Sequence, residues 1–315
     1  MIDILLAAYN GEKYLQELLD SLKEQTYSDW KLIVIDDCSE DDTVNILNRF
    51  SREAGVQVEL IRNRTRERSG KNNFIRLLRR SGSEYFMFCD QDDVWLPDKI
   101  EKTLKLMKKT ESENNGKRII PALVHTDLQV VDEKLIPIRD SFFGYSGLRK
   151  DFSLKYLLCQ NTITGCTLMG NAALRRVFCE KKPDPDMLNM HDEWLGLIAA
   201  CFGRIAFLDE ATILYRQHGN NTVGAADAGS LKYQLQRLKV FREMKKSNMD
   251  HVTEAAYFLE LYGPHIHNRK NRKLLQRFAR AETASAMYYR KTCVFLGILK
   301  YPLKRAFMQI LLAQK

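Results

Sequence analysis

A mixed, mainly parallel α/β sheet flanked by helices, with a helical C-terminal extension, is the architecture this 315-residue sequence predicts. Three observations predict it. Strand-like and helix-like segments alternate from Ile2 to Cys89, and the connections between them are short and either acidic or glycine-containing. Beyond residue 231 the chain turns basic and reads as helices.

Ile2 to Ala8 reads as a buried strand, the turn-forming Asn10-Gly11 ends it, and Leu15, Leu18, Leu19 and Leu22 recur at helical spacing. Lys31 to Ile35 is the next strand, Asp36 to Asp42 a polar turn and Thr43 to Phe50 a helix. Val56 to Ile61 is again strand, with a helix around Asn73 to Arg80 and a strand from Tyr85 to Cys89. A helix opened by Pro97 follows. Strand-like Ala122 to Val131, Gly165 to Met169, Arg204 to Leu208 and Thr212 to Tyr215 are interspersed with helices, one beginning near His191. They predict the rest of the same domain, with some antiparallel strands. Residues 231 to 292 are mostly helical, with apolar stripes Leu231, Leu235, Leu238, Phe241 and Leu274, Phe278, Ala281, Tyr288.

With 45% hydrophobic residues the chain can bury a substantial core. Its 7 cysteines form no C-x-x-C pair, which argues for reduced, intracellular thiols and against a disulfide framework or zinc site. Nothing resembles a signal peptide, and no apolar stretch reaches membrane-span length. The expected location is cytoplasmic, or peripheral on the inner face of the plasma membrane. Residues 231 to 315 carry 18 Lys and Arg against 5 Asp and Glu, a net +13, whereas residues 1 to 230 carry −4. A basic tail on an acidic body calls for a polyanionic partner, and its large apolar residues favour an anionic membrane surface over nucleic acid.

Ligands of parallel α/β sheets bind beyond the strand carboxyl ends. Tyr9-Asn10, Asp36-Asp37 and Asp90-Asp92 are all predicted there, along one rim. Asp90-Gln91-Asp92-Asp93 is the most informative of these stretches. Carboxylates one residue apart at a strand end face one side together, and hard oxygens suit Mg²⁺ or Mn²⁺. In isolation the tetrapeptide reads instead as a polar turn capping the next helix. A calcium loop is excluded, because Val94 and Trp95 stand where an oxygen ligand and a glycine are needed.

Six segments in order carry a resemblance: "ILLAAYNGEKYLQELLDSL", "LIVIDDCSEDDT", "YFMFCDQDDVWLPDKI", "NTITGCTLMGN", "MHDEWL" and "YRQHGNN". Over roughly residues 2 to 222 the chain resembles the inverting family 2 glycosyltransferases with the GT-A (Rossmann-like) fold, particularly bacterial rhamnosyltransferase-like members. The resemblance implies a catalytic domain over 1–225, and charge and apolar spacing mark a basic, mainly helical region over 226–315.

It also implies roles residue by residue. Tyr9, Asn10 and Glu12 match positions lining the nucleotide pocket, although Asn10-Gly11 also turns unaided. Of Asp36 and Asp37, one would accept a hydrogen bond from a uracil or thymine ring and the other cap the helix starting near Asp42. Asp90 would approach the ribose, with Gln91 beside it. Asp92 would bind the cation with His218, a histidine that can equally be structural. Lys71, Asn72 and Asn73, with Arg64, Arg66 and Arg68 nearby, would contact donor phosphates or form a solvated basic loop. Asp192 matches the catalytic base. Glu193 is its rival, since adjacent helical residues point about 100° apart and only one faces the site. Gly165 and Cys166 would lie under the acceptor. His191, Glu193 and Trp194 would shape its pocket, Trp194 alternatively being core.

The implied reaction is metal-dependent, inverting transfer of a sugar from a nucleotide-sugar donor to a hydroxyl of a lipid-linked surface-polysaccharide precursor, with Mn²⁺ or Mg²⁺ as cofactor. L-Rhamnose from dTDP-β-L-rhamnose is the favoured donor sugar and a UDP-hexose the alternative. A non-catalytic nucleotide- or carbohydrate-binding module would have lost metal or base carboxylates, yet Asp90, Asp92 and Asp192 are all present. A sugar-nucleotide pyrophosphorylase would need a Gly-rich basic loop that "AAYNGEKYL" lacks. In the tail, the apolar run Cys293 to Leu299 precedes Lys300, Lys304 and Arg305 among Leu303, Phe307, Ile310 and Leu311. That pattern fits either a segment lying in a membrane interface or helices packed on the catalytic domain or in a homo-oligomer.

Overall fold

The alternating segments become β1 (Ile2–Ala8), α1 (Leu15–Lys23), β2 (Trp30–Asp36), α2 (Thr43–Glu53), β3 (Val58–Arg62), α3 (Gly70–Arg80), β4 (Tyr85–Asp90), β5 (Val94–Trp95) and α4 (Lys99–Ser112). There follow β6 (Ala122–Val131), β7 (Pro137–Arg139), α5 (Phe142–Ser146), α6 (Leu154–Leu157), β8 (Met169–Asn171), α7 (Ala172–Lys181), α8 (His191–Phe202) and β9 (Arg204–Arg216). The tail contributes α9 (Arg237–Tyr262), α10 (Arg269–Ala279), α11 (Ala286–Leu296) and α12 (Leu303–Leu311). This computed structural model describes residues 1–113, 119–218 and 237–313, without the side chains of 237–245. The expected stripe Leu231, Leu235, Leu238, Phe241 and the boundary at 225 lie outside what is described.

The strands form one sheet in the order β3-β2-β1-β4-β8-β6-β9-β5, with β7 on β6. The first four are parallel, as are β6 and β9, while β8 is antiparallel to its neighbours and β5 to β9. Successive strand residues point to opposite faces, and both faces are covered. Leu5, Ile33, Phe86 and Phe88 pack with Phe74, Leu157, Leu174 and Trp194 on one side; Ile4, Leu6, Val34 and Met87 pack with Leu18, Leu47 and Met107 on the other. The tail helices join the first side, where Phe258, Tyr262, Phe278, Tyr289 and Cys293 are buried in the same core. Each such side chain contributes about 1.5–3 kcal/mol of burial, which holds the tail against the sheet domain.

Two expectations need correction. Gly165 to Met169 is not one strand: Thr167 returns both its N–H (3.0 Å) and its hydroxyl (2.7 Å) to the Thr164 carbonyl, closing a 3₁₀ turn before β8. The two expected strands Arg204 to Leu208 and Thr212 to Tyr215 are one continuous β9, with a register shift against β6 near Asp127. The second tail stripe holds at Phe278 and Ala281, which are buried, while at its ends Leu275 and Tyr289 are buried and the expected Leu274 and Tyr288 pack against the core only in part.

Candidate active site

Parallel register aligns the strand ends, pairing Ala8 with Asp36 and Ala7 with Asp90, so the three predicted clusters do share one rim. The loop after β1 is held from several directions. Asn10, in the left-handed region at φ 46°, donates its N–H to Ser39 Oγ (2.9 Å) and accepts from Glu40 N–H (3.0 Å). Glu12 accepts from Asp42 N–H (3.0 Å). Both expected donor contacts thus tie the first loop to the second. Gln91 is likewise a clamp: its amide accepts from Tyr9 N–H (2.8 Å) and donates to the Tyr9 carbonyl (2.9 Å). Gly11 makes room for it, since a Cβ there would lie 2.6 Å from Gln91 Oε1. The Tyr9 ring carries the Arg66 guanidinium 3.7 Å from its centroid.

Asp37 accepts from Asn63 Nδ2 (2.6 Å), Glu67 N–H (2.7 Å) and Arg68 N–H (3.0 Å). Burial alone would raise its pKa, but these hydrogen bonds outweigh that effect and hold it below the usual carboxylate value. Asn73 stands behind this network, 3.2 Å from Asn63 Nδ2, rather than at a phosphate. Asp36 is buried, 3.3 Å from Ser39 N–H and 3.5 Å from Arg62. Neither aspartate caps α2, because Asp41 accepts the Thr43 N–H (3.0 Å) instead. Lys71 is also reassigned. Its ammonium donates to the carbonyls of Pro185 (2.7 Å) and Leu188 (2.6 Å), holding the loop that leads into α8. For this half-buried charge, Lys71→Met is expected to cost about 1–2 kcal/mol in denaturant melts while leaving nucleoside diphosphate affinity unchanged.

At the end of β4, Asp92 Oδ2 and His218 Nε2 meet at 2.8 Å. Asp90, half-buried, has its pKa raised to about 7, chiefly by burial and then by Asp92 and Asp192. Asp93 is buried, with Oδ2 unpartnered among the described residues, and burial followed by Asp92 and Asp90 pushes it well above the carboxylate range. Burial likewise pushes the Cys166 thiol far up, so it carries no thiolate.

Asp192 and Glu193 diverge as helix geometry demands. Asp192 Oδ1 accepts from Asn161 Nδ2 (3.1 Å) and from Glu193 N–H (2.7 Å), while Oδ2 lies toward Gly165. A Cβ on Gly165 would fall 3.4 Å from that oxygen and 3.0 Å from His191 Nε2, which is why a glycine stands there. Burial, more than the adjacent Glu193, raises Asp192 to about 7. Glu193 points the other way, to His251 Nδ1 at 2.7 Å. His191 is no acceptor contact. It is buried between Phe74 and Phe88, at centroid distances of 4.7 and 4.5 Å, and burial lowers it to about 3, leaving it neutral. Trp194 is fully buried against Phe258 and Tyr257 and belongs to the core.

The family model of glycosyl transferase family 2 matches residues 3–178, more than half of the chain. The chain belongs to that family. RfbG, a dTDP-rhamnosyl transferase of Shigella flexneri, is 27% identical over 233 residues, covering 72% of this chain and 76% of its own. The S. aureus TarS 1-349 structure with UDP superposes with TM-score 0.55 at 17% identity, covering 96% of this chain and 93% of that one. The mannosyltransferase PcManGT of Pyrobaculum calidifontis, in complex with GDP-Man and Mn²⁺, gives 0.54 at 17% identity over 99% and 85%. This family 2 protein is a nucleotide-sugar-dependent glycosyltransferase with the GT-A fold.

Two residues of this glycosyltransferase's rim escape sequence reasoning. Arg216 is buried at the end of β9, donating to the carbonyls of Asp92 (2.9 Å) and Glu133 (2.6 Å) and to Glu17, and so fastening the acidic turn to the strand end that precedes His218. Its signal was a charge at the end of the strand-like run, two residues before His218. Lys99 gave none, because lysine is almost never fully buried. Its ammonium lies 4.6 Å over the Trp95 ring, and burial lowers it to about 8.

Proposed function

We propose that the protein transfers L-rhamnose from dTDP-β-L-rhamnose, with inversion, to a hydroxyl of a lipid-linked surface-polysaccharide precursor. The observation that carries the reaction class is the convergence of Asp90, the Asp92–His218 pair and the buried Asp192 at the carboxyl rim of the sheet. Rhamnose is supported by the likeness to a dTDP-rhamnosyl transferase. A UDP-hexose is the alternative, supported by the fold shared with a protein solved with UDP.

A divalent cation fits the donor set. Carboxyls Asp90, Asp92 and Asp93 crowd together; burial first, and their mutual repulsion second, raise the proton affinities of Asp90 and Asp93, and a cation would relieve that repulsion. Asp92 and His218 would hold Mg²⁺ or Mn²⁺, which when bound supplies Lewis-acid neutralisation of the departing diphosphate. Asp192 takes the proton from the acceptor hydroxyl as its oxygen bonds to the anomeric carbon. The bond from that carbon to the diphosphate oxygen breaks, and the nucleoside diphosphate leaves with the electron pair. Incubation with a panel of nucleotide sugars, reading nucleoside diphosphate release, tests the donor; preference for a UDP-hexose would replace rhamnose.

The tail supports docking on an anionic membrane. No helix among the described residues is long and apolar enough to cross a bilayer. Yet α11 and α12, buried on one face, expose Phe295 (80%), Leu303 (83%) and Phe307 (67%) on the other, beside exposed Lys291 and Lys304. Vesicles containing anionic lipid should float with the protein, less so in high salt, and Phe295→Asp/Phe307→Asp should abolish flotation. Flotation that survives the double substitution removes the membrane role from this face. An elution shift on the same substitution would assign it to self-association.

A further inference from the structure

Glu193 follows the candidate base on α8 but turns toward the tail. His251 Nδ1 meets its Oε1 at 2.7 Å, and Glu254, on the same face of α9, is within hydrogen-bonding reach of it. Glu254 also accepts from Asn189 N–H (2.8 Å) and Asn189 Nδ2 (2.9 Å), fixing the chain just before α8. Further along α9, the Tyr257 hydroxyl accepts from Asp184 N–H (2.8 Å), and Trp194 packs 5.1 Å from Phe258, centroid to centroid. The start of α8 is therefore gripped by Lys71 from one side and by α9 from the other.

From these contacts we infer that α9 is a working part of the active site, with His251 and Glu254 as positioning residues that hold Glu193 away from the rim and thereby fix Asp192 toward it. The inference rests on Asp192 being the base. Two carboxyls buried together cost several kcal/mol unless a proton or a cation lies between them; burial, then Glu193, pushes Glu254 well above the carboxylate range so that it keeps its proton, and His251 closes the other side of Glu193. A metal ion would serve the same end, but the Asn189 amide already donates into the cluster, 3.3 Å from His251 Nδ1, so hydrogen bonds close it unaided.

The charges around the base set the direction of the effect. Asp192 feels Asp90 from β4, Glu193 on its own helix and Glu254 from α9; Glu193 feels His251 and Glu254 from α9 and Lys300 from the segment between α11 and α12. Without His251 against it, the negative charge of Glu193 acts uncompensated on Asp192 and raises its affinity for a proton. The acid limb of the rate profile then moves to higher pH.

The experiment compares His251→Gln, which keeps a hydrogen-bond donor but cannot ionise, with His251→Ala, Asp192→Asn and Phe278→Leu in full-length protein. For His251→Gln, kcat at pH 7 should fall about twofold or more with donor KM unchanged, the acid limb should shift upward by about half a pH unit or more, and activity should recover toward pH 9. His251→Ala should lose more. Phe278→Leu, buried in α10, should lower the melting temperature and leave the pH profile alone. An inactive Asp192→Asn beside a His251→Gln enzyme with wild-type kcat and pH profile would overturn the inference alone. Normal turnover by Asp192→Asn would overturn both it and the base assignment.

Discussion

Asp192→Asn is expected to lower kcat by about 10²- to 10⁴-fold while leaving donor affinity at the wild-type level. Asparagine keeps the shape and can still accept from Asn161 Nδ2, so the pocket stays intact. What disappears is the capacity to take up a proton. Single-turnover rates with nucleoside diphosphate binding measured in parallel separate the two effects. Should Glu193→Gln be inactive and Asp192→Asn active, the base has been misassigned. The wild-type rate should also fall on acidification below about pH 7, where Asp192 becomes protonated. The stability sign is opposite in sense. Burial lifts the carboxyl from 3.8 to about 7, so the native state binds this proton more tightly than the unfolded chain. Stability from this group is therefore full below 3.8 and lost as pH rises through about 7, a loss the asparagine does not suffer. The variant should melt no lower than wild type at pH 8.

Asp92→Asn should cut transfer by a comparable factor for a different reason. It removes the charged oxygen paired with His218 Nε2 at 2.8 Å. Neutralising the leaving diphosphate is worth several kcal/mol, and each 1.36 kcal/mol is tenfold in rate, so a loss of about 10²- to 10⁴-fold follows. EDTA should reproduce the loss in wild type, with Mg²⁺ or Mn²⁺ restoring activity. Donor-induced thermal stabilisation should weaken in Asp92→Asn, unlike in Asp192→Asn. Full activity in EDTA would take the cation out of the mechanism.

Local pattern by itself determined the strand and helix order through Cys89 and the rim that collects Tyr9, Asp36 and Asp90, whereas the expected pairing of Asp92 with His218 came from the family resemblance. Such features are legible because periodicity of 2 or 3.6 and turn chemistry belong to a few consecutive residues. The segment Gly165 to Met169 shows the limit: its residues are apolar enough for a strand, but a side-chain return from Thr167 to Thr164 bends them into a turn. Side-chain partners across the fold were not legible at all. Gln91 is spent on Tyr9, Lys71 on the carbonyls before α8, and Asn73 on the network around Asp37. Each is a polar group whose desolvation is offset only by a partner far away in sequence. The choice between Asp192 and Glu193 was decided the same way. Helical geometry says that one of them faces the rim, and only the docking of α9, with His251 and Glu254 waiting for Glu193, decides which, because a buried carboxylate must turn to the donors the tertiary structure provides.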